Sequence, residues 1–383
     1  MTRKFGCVLF ALGLMLIPAH GGIAPNPLVS AGKPVFSSSS TGLEHINDGV
    51  FGGWMEGDPK RSQAWYAWDI SPANPGWIAM KVGTGYSKLL VQSDTSSTSS
   101  HRPYDYVIET SADSTNGSDG TWKTAVTFVG ENALKFDFAP MSARNHVIIF
   151  EGQSWMRMTI TSATKTKFDR HYGVVIDELS CFDATNGTPD SWIFIGDSIT
   201  AEAYDHSFVD ALHASSNANT PYMINCGIPG SSIYHWGKII DKYLELYPDM
   251  KYWLIMLGTN DARTANRTGN FESYHKGMQI LIDRIKDAGH IPIIAKVPYN
   301  FTDPDGGYPV SAIQQFNEII DDLNSINDLL PGPDFYTYFQ SHPEMFRDKL
   351  HPNAEGAAAY RKLWVETLGP LFRAGDTSPR QSN

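Results

Sequence analysis

A serine in a tight turn after an apolar run is placed for nucleophilic chemistry if a base can reach it. In Gly196-Asp197-Ser198-Ile199-Thr200 the run Trp192 to Ile195 reads as a strand, and Ser198 falls in the turn beyond it. The backbone N–H groups after such a turn favour developing negative charge. A second strand-like run leads into Asn225-Cys226-Gly227-Ile228-Pro229-Gly230-Ser231-Ser232, where Gly230 has no side chain to keep its N–H from a ligand. A third leads into Gly258-Thr259-Asn260-Asp261, where the Asn260 amide can donate to an oxyanion. Near the end stands Asp348-Lys349-Leu350-His351-Pro352-Asn353. An Asp three residues ahead of a His can orient the imidazole, and that imidazole can take the proton of Ser198. Together these residue types imply acyl transfer: attack by Ser198 on an ester carbonyl, proton transfer through His351, and release of the acid by water. No His, Cys or carboxylate cluster has metal-ligand spacing, so neither a metal nor another cofactor is expected. Each block alone is weak, since a Ser in this setting is often only a helix cap; their order and their placement after successive strands carry the weight.

The set GDSI, the Gly of GIPGSS, GTND and DKLHPN resembles the GDSL or SGNH hydrolase superfamily over roughly Asp190 to Phe372. The resemblance implies that Ser198 is the nucleophile, His351 the general base and Asp348 the residue that orients it. It also implies an oxyanion hole made by the backbone N–H of Ser198, the backbone N–H of Gly230 and the side chain of Asn260. One departure follows the nucleophile: Thr200-Ala201-Glu202-Ala203-Tyr204 replaces the small, glycine-containing continuation common in the family. Trp236, six residues beyond Gly230, is a candidate substrate contact on spacing alone. His206, His213, His235 and His342 lack a partner pattern and are assigned surface or packing roles, and Asp197 and Asp261 are expected to hold their loops.

The elements that must position these groups alternate regularly after Thr188. Strands are expected at Trp192–Ile195, Tyr222–Asn225, Tyr252–Leu257 and His290–Lys296. Helices are expected at Ser207–Ala214, Lys238–Leu246, Phe271–Ala288, Ala312–Leu330 and Ala354–Phe372. Such alternation implies a mostly parallel sheet covered on both faces, with ligands bound beyond the carboxyl ends of its strands. Before Thr188 the texture differs: short alternating or aromatic runs, such as Gly76–Val82, Lys88–Val91, Tyr106–Thr110, Asn145–Phe150 and Trp155–Ile160, are separated by Gly, Pro, Ser and Asn clusters. That pattern reads as a β-sandwich with no helix before residue 200. The 383 residues thus divide into a sandwich over 26–184 and an α/β hydrolase domain over 190–373.

Within the first half, Ile46-Asn47-Asp48-Gly49, Gly76-Trp77-Ile78 and Ile176-Asp177-Glu178-Leu179 resemble the galactose-binding-like jelly roll of the discoidin type. The expected fold is therefore an N-terminal all-β jelly-roll sandwich plus a C-terminal three-layer α/β domain with a flavodoxin-like parallel sheet. The resemblance implies sugar binding, with Trp54, Trp65, Trp68 and Trp155 as stacking candidates, although large aromatics in strands are more often core. A secreted carbohydrate O-acetylesterase acting on an acetylated polysaccharide or small ester is the leading reading. A lipase or arylesterase for longer acyl chains and a catalytically silent glycan-binding protein are the alternatives.

The ends and the charge narrow the setting. Thr2-Arg3-Lys4 followed by an apolar run from Phe5 to Pro18 and small residues at Ala19 to Gly21 reads as a secretory signal peptide over 1–21, too short for a spanning anchor. Secretion to a periplasm or medium is expected, with no stable membrane anchor. The formal charge of −11 disfavours a phosphate-tracking nucleic-acid binder and a protein held on anionic lipid. Residues 374–383 read as a frayed tail. Cys181 and Cys226 are too few for a disulfide scaffold; whether they pair is left open, as is the oligomeric state. Asn116, Asn186, Asn266 and Asn300 lie in N-x-Ser/Thr sequons that matter only in a glycosylating host.

Overall fold

The structure, a computed structural model, describes residues 27–48, 65–94, 103–130, 144–163, 173–188, 191–203, 223–268, 270–302 and 307–368. The signal segment 1–21, the tail 374–383, the helix expected at Ser207–Ala214, Trp54, His206 and His213 lie outside them.

The first half is built of antiparallel strands: β1 (Val35–Ser37), β2 (Trp65–Trp68), β3 (Gly76–Met80), β4 (Lys88–Asp94), β5 (Pro103–Ser111), β6 (Lys123–Phe128), β7 (Arg144–Ile149), β8 (Trp155–Ala163), β9 (Gly173–Ile176) and β10 (Glu178–Asp183). They form a five-stranded sheet in the order β1-β3-β8-β5-β6, a three-stranded sheet β10-β4-β7 and the pair β2-β9. Between the sheets lies a core that includes Ile78, Met80, Leu89, Val91, Ile108, Met158, Leu179 and Cys181. Side chains alternate across a strand, and β4 uses both faces. Leu89 and Val91 enter this core, whereas Leu90 joins Phe182 and Ala184 in the core of the second half. A strand buried on both sides reads as a continuous apolar run, as Leu89-Leu90-Val91 does.

The second half contains β11 (Trp192–Gly196), α1 (Ser198–Ala203), β12 (Met223–Gly227), α2 (Ile233–Leu246), β13 (Tyr252–Met256), α3 (Thr259–Thr268), α4 (Phe271–Asp287), β14 (Ile291–Ile294), α5 (Val310–Ile326), α6 (Phe335–Gln340) and α7 (Ala354–Leu368). The strands pair in parallel in the order β12-β11-β13-β14, and a parallel bridge from Ile294 to Pro331 extends that order. Period-two alternation sends Ile193 and Ile195 of β11 to one face, against Trp236, Ile240, Leu281, Ile285 and Phe316 of α2, α4 and α5. Trp192 and Phe194 face the other side, against Phe335, Phe339, Tyr360 and Trp364 of α6 and α7. Helix α2 starts at Ile233, five residues before the expected Lys238, because Ser232 begins it: its N–H donates to His235 Nδ1 at 3.2 Å. Two helices escape sequence periodicity. The GTND block itself opens the polar helix α3, and α6 has the strand-like composition Phe-Tyr-Thr-Tyr-Phe-Gln.

The halves meet across the three-stranded sheet. Gln92 Nε2 donates to Met223 O, and Asn145 Nδ2 lies 3.4 Å from Met250 Sδ. Cys181 and Cys226 are buried thiols that form no disulfide with each other, and burial pushes the Cys181 thiol well above its ordinary value. Of the aromatic candidates, Trp65 and Trp155 are core residues, and the Trp65 indole donates to Ser39 O at 3.0 Å. Trp68 is 53% exposed and lies beside Tyr66, with ring centroids 6.2 Å apart and planes at 20°.

Candidate active site

Strands β11, β12 and β13 end at one edge of the parallel sheet, and each delivers one sequence block there. After β11 the chain turns at once into α1, whose first bond runs from Ala201 N–H to Asp197 O at 3.0 Å. The turn is so close that a Cβ on Gly196 would stand 1.9 Å from Thr200 Oγ1 and 2.7 Å from the Met256 carbonyl oxygen. Neither neighbour can retreat without moving α1 or β13. Gly196→Ala is therefore expected to destabilise the fold by about 1–3 kcal/mol or more, the usual cost of overpacking, and to lower activity in whatever fraction folds; thermal unfolding and turnover check it.

The block after β12 wraps the same glycine. Gly196 O accepts from Ile228 N–H at 3.0 Å, Ser231 Oγ at 2.9 Å and Trp236 Nε1 at 3.1 Å. Trp236 also donates to Ser231 Oγ at 3.1 Å and is fully buried. The expectation of substrate contact at Trp236 is corrected here: its ring lies in the core of the α2 face, with no surface to offer, and its indole N–H braces the turn at Gly196. Gly230 is exposed, with φ 76°, in the left-handed region that a side chain disfavours.

After β13, the Asn260 side-chain amide donates to Ser231 O at 2.9 Å, and Asp261 accepts from Ile233 N–H at 3.1 and 3.2 Å. The third block thus holds the second. Burial pushes the Asp261 carboxyl up to about 6, against the N–H bonds that favour its charge. Burial likewise pushes Asp197 up to about 7, although its Oδ1 accepts from Ile199 N–H at 2.9 Å; the nearby Asp261 charge adds to the rise.

The last block supplies the other partner. Ser198 Oγ lies 2.9 Å from His351 Nε2, and His351 Nδ1 lies 2.8 Å from Asp348 Oδ2. A carboxylate only accepts, so Nδ1 carries the ring proton and neutral Nε2 is left to accept from the Ser198 hydroxyl. Asp348 Oδ1 accepts from the backbone N–H of His351 at 2.7 Å and of Leu350 at 3.1 Å. Burial alone would raise Asp348; the N–H groups of His351 and Leu350 outweigh it and hold the carboxyl below its ordinary value. Closing this turn places Lys349 at φ 69°, a strained conformation for a side-chain-bearing residue, and Phe301 N–H fastens it by donating to Lys349 O at 2.8 Å.

Ser198 and Asn260, in the first turns of α1 and α3, and Gly230, Asp348 and His351, on loops, therefore all follow the carboxyl ends of the strands or pack against the residues that do. His235 is the helix-capping partner of Ser232, and His342 stacks on Tyr338 at 4.4 Å between centroids. Arg347 belongs to none of the four motifs, yet its side chain reaches Glu202 at 2.9 Å. The one sequence signal was Glu202 itself, a long acid where small residues are usual.

A parallel three-layer α/β domain with a Ser-His-Asp chain at the carboxyl ends of its strands has the architecture of a serine hydrolase. Residues 194–359, which hold all of these groups, match the model of the GDSL-like Lipase/Acylhydrolase family. No curated protein matches the chain. Among solved structures, the chain is similar to a lipase/acylhydrolase from Enterococcus faecalis (21% identity, 49% of this chain and 100% of that one, TM-score 0.42). It is also similar to a catalytic mutant of the acetylxylan esterase Axe2 from Geobacillus stearothermophilus (16% identity, 49% and 99%, TM-score 0.41). A Bacillus subtilis protein, YXIM, is similar over more of the length (15% identity, 89% and 93%, TM-score 0.44).

Proposed function

We propose that this protein is a secreted serine esterase that removes O-acetyl groups from a polysaccharide through an acyl-enzyme on Ser198. The observation that carries the esterase reading is the continuous chain Ser198 Oγ, His351 Nε2, His351 Nδ1, Asp348 Oδ2, with contacts of 2.9 and 2.8 Å. In this reading the Ser198 hydroxyl gives its proton to Nε2 as its oxygen attacks the ester carbonyl. The imidazolium, steadied by Asp348, returns that proton to the departing alcohol, and water activated by the same nitrogen then frees the acid. The oxyanion is met by the backbone N–H of Ser198, the backbone N–H of Gly230 and the Asn260 amide. An amide nitrogen carries two N–H groups; one is committed to Ser231 O, which fixes the direction of the other.

Asn260→Ala is accordingly expected to lower kcat about 10²–10³-fold, the usual cost of one oxyanion donor. Because the amide also holds Ser231 O, the unfolding temperature should be compared with the parent, and a kcat within threefold of the parent would remove Asn260 from the reading.

Acetyl specificity rests on the pairing of this domain with a strand-rich half that we read as a galactose-binding-like jelly roll. The exposed Trp68 beside Tyr66 gives that half a flat apolar surface of the kind that stacks on a pyranose. Export rests on the apolar start of the sequence; among the described residues no helix is long and apolar enough to cross a membrane. The test is acetate release from acetylated xylan, mannan, pectin and peptidoglycan, set beside hydrolysis of p-nitrophenyl acetate and octanoate, with Ser198→Ala as the control. Faster turnover of the octanoate would replace the acetylesterase reading with a lipase or arylesterase, and polysaccharide binding without hydrolysis would replace it with a glycan-binding protein.

A further inference from the structure

Ser198 and His351 come from elements far apart in the chain, so their 2.9 Å contact requires α1 and the loop 346–353 to be held in register. Among the described residues two side-chain hydrogen bonds join these elements: Ser198 with His351, and Arg347 with Glu202, where Nη2 lies 2.9 Å from Oε1. Glu202 stands four residues after Ser198 in α1, on the same face of the helix. Its side chain is only 8% exposed, and among the described residues its Oε2 has no hydrogen-bond partner, so Arg347 is what balances that carboxylate. Arg347 is fixed to the catalytic loop in turn. Its N–H donates to His351 O at 3.0 Å, the bridge Phe346 to Pro352 closes the loop around it, and its Nε lies 3.9 Å from Asp348 Oδ2.

We propose that Glu202 and Arg347 are positioning residues: their ion pair is a strap that sets the helix of Ser198 against the loop of Asp348 and His351. This rests on the esterase reading of the same site. One end of the strap is a buried carboxylate and the other is a guanidinium on the residue beside Asp348, so a shift of either element strains the pair and the Ser-His contact together. Small misplacements of reacting groups, on the order of 1 Å, cost about 10²-fold in rate. The strap acts on the reacting geometry and leaves substrate contacts alone, so its loss should appear in kcat and spare KM.

A single deletion would leave a buried charge unpaired and confuse misfolding with misplacement. The decisive variant is therefore the double Glu202→Met, Arg347→Met, in which an apolar pair fills the space. It should unfold within a few degrees of the parent, keep KM for p-nitrophenyl acetate within twofold, and lose about 10–100-fold in kcat. Arg347→Lys, which keeps the charge without the planar fork, should recover most of that loss. In proton NMR, the His351 Nδ1 proton bonded to Asp348 should be sharp in the parent and broadened by exchange in the double variant. A folded double variant with kcat within twofold of the parent and an unchanged Nδ1 signal overturns the strap. Should the double variant not fold, Glu202→Gln keeps the shape and weakens the pair, and parent-like kcat and Nδ1 signal in that protein overturn it equally. A parent inactive on every ester would instead defeat the esterase reading, and the Nδ1 comparison would still decide whether the strap holds the loop.

Discussion

Ser198→Ala is expected to fold like the parent and to lose on the order of 10⁶-fold in kcat on p-nitrophenyl acetate, the scale seen when the nucleophile of a Ser-His-Asp set is removed. Among the described residues the hydroxyl makes one hydrogen bond, with His351 Nε2. Its removal leaves the imidazole anchored through Nδ1 to Asp348, and the turn is still held by Ala201 N–H on Asp197 O and by the three donors on Gly196 O. What disappears is the atom that forms the acyl-enzyme in the proposed mechanism. The remaining N–H donors and the Asn260 amide would still stabilise attack by water, so a residual rate about 10³–10⁴-fold above the uncatalysed reaction is expected. Steady-state turnover and a thermal melt, run on the same preparation, decide it. Activity within tenfold of the parent would mean that hydrolysis runs through another residue.

Legibility differed by element for physical reasons. Strands β11 and β13 and helices α4 and α5 announce themselves because each has a regular apolar pattern that the folded sheet buries, as in Met278, Leu281, Ile282 and Ile285 of α4. The four site blocks were legible because fold and chemistry both constrain them: a turn that admits only Gly196, a left-handed Gly230, an amide at Asn260 and a closed Asp-x-x-His loop. Helix α3 was not, since it lacks an apolar stripe and begins inside the GTND block. Trp236 was misplaced because spacing from Gly230 counts residues along the chain, while the helix that Ser232 starts turns the indole beneath the sheet edge. Arg347 was invisible because its partner, Glu202, is 145 residues away. Long-range ion pairs leave no periodic trace, and only the burial of Glu202 reveals that its charge must be answered.

Asp348→Asn tests the proton arrangement more sharply than deletion of Asp348 does. In the parent, Oδ1 accepts two backbone N–H bonds, from Leu350 and His351, while Oδ2 accepts from His351 Nδ1. An Asn at this position keeps both backbone bonds only if its amide oxygen takes the Oδ1 place. Its NH₂ group then faces Nδ1, and two donors cannot share that contact. The imidazole must move its proton to Nε2, and a protonated Nε2 no longer accepts from the Ser198 hydroxyl. The flipped amide would restore Nδ1–H but point NH₂ at two backbone donors, which costs more than it gains. Geometry and stability should therefore be nearly those of the parent while kcat falls about 10⁴-fold, as expected for an imidazole held in the wrong tautomer. Asp348→Ala forces no tautomer, because water can enter beside a residue that is 47% exposed, so it should retain at least as much activity as Asp348→Asn. An Asn variant clearly more active than the Ala variant would show that Asp348 acts by packing, and the proton path through His351 would have to be redrawn.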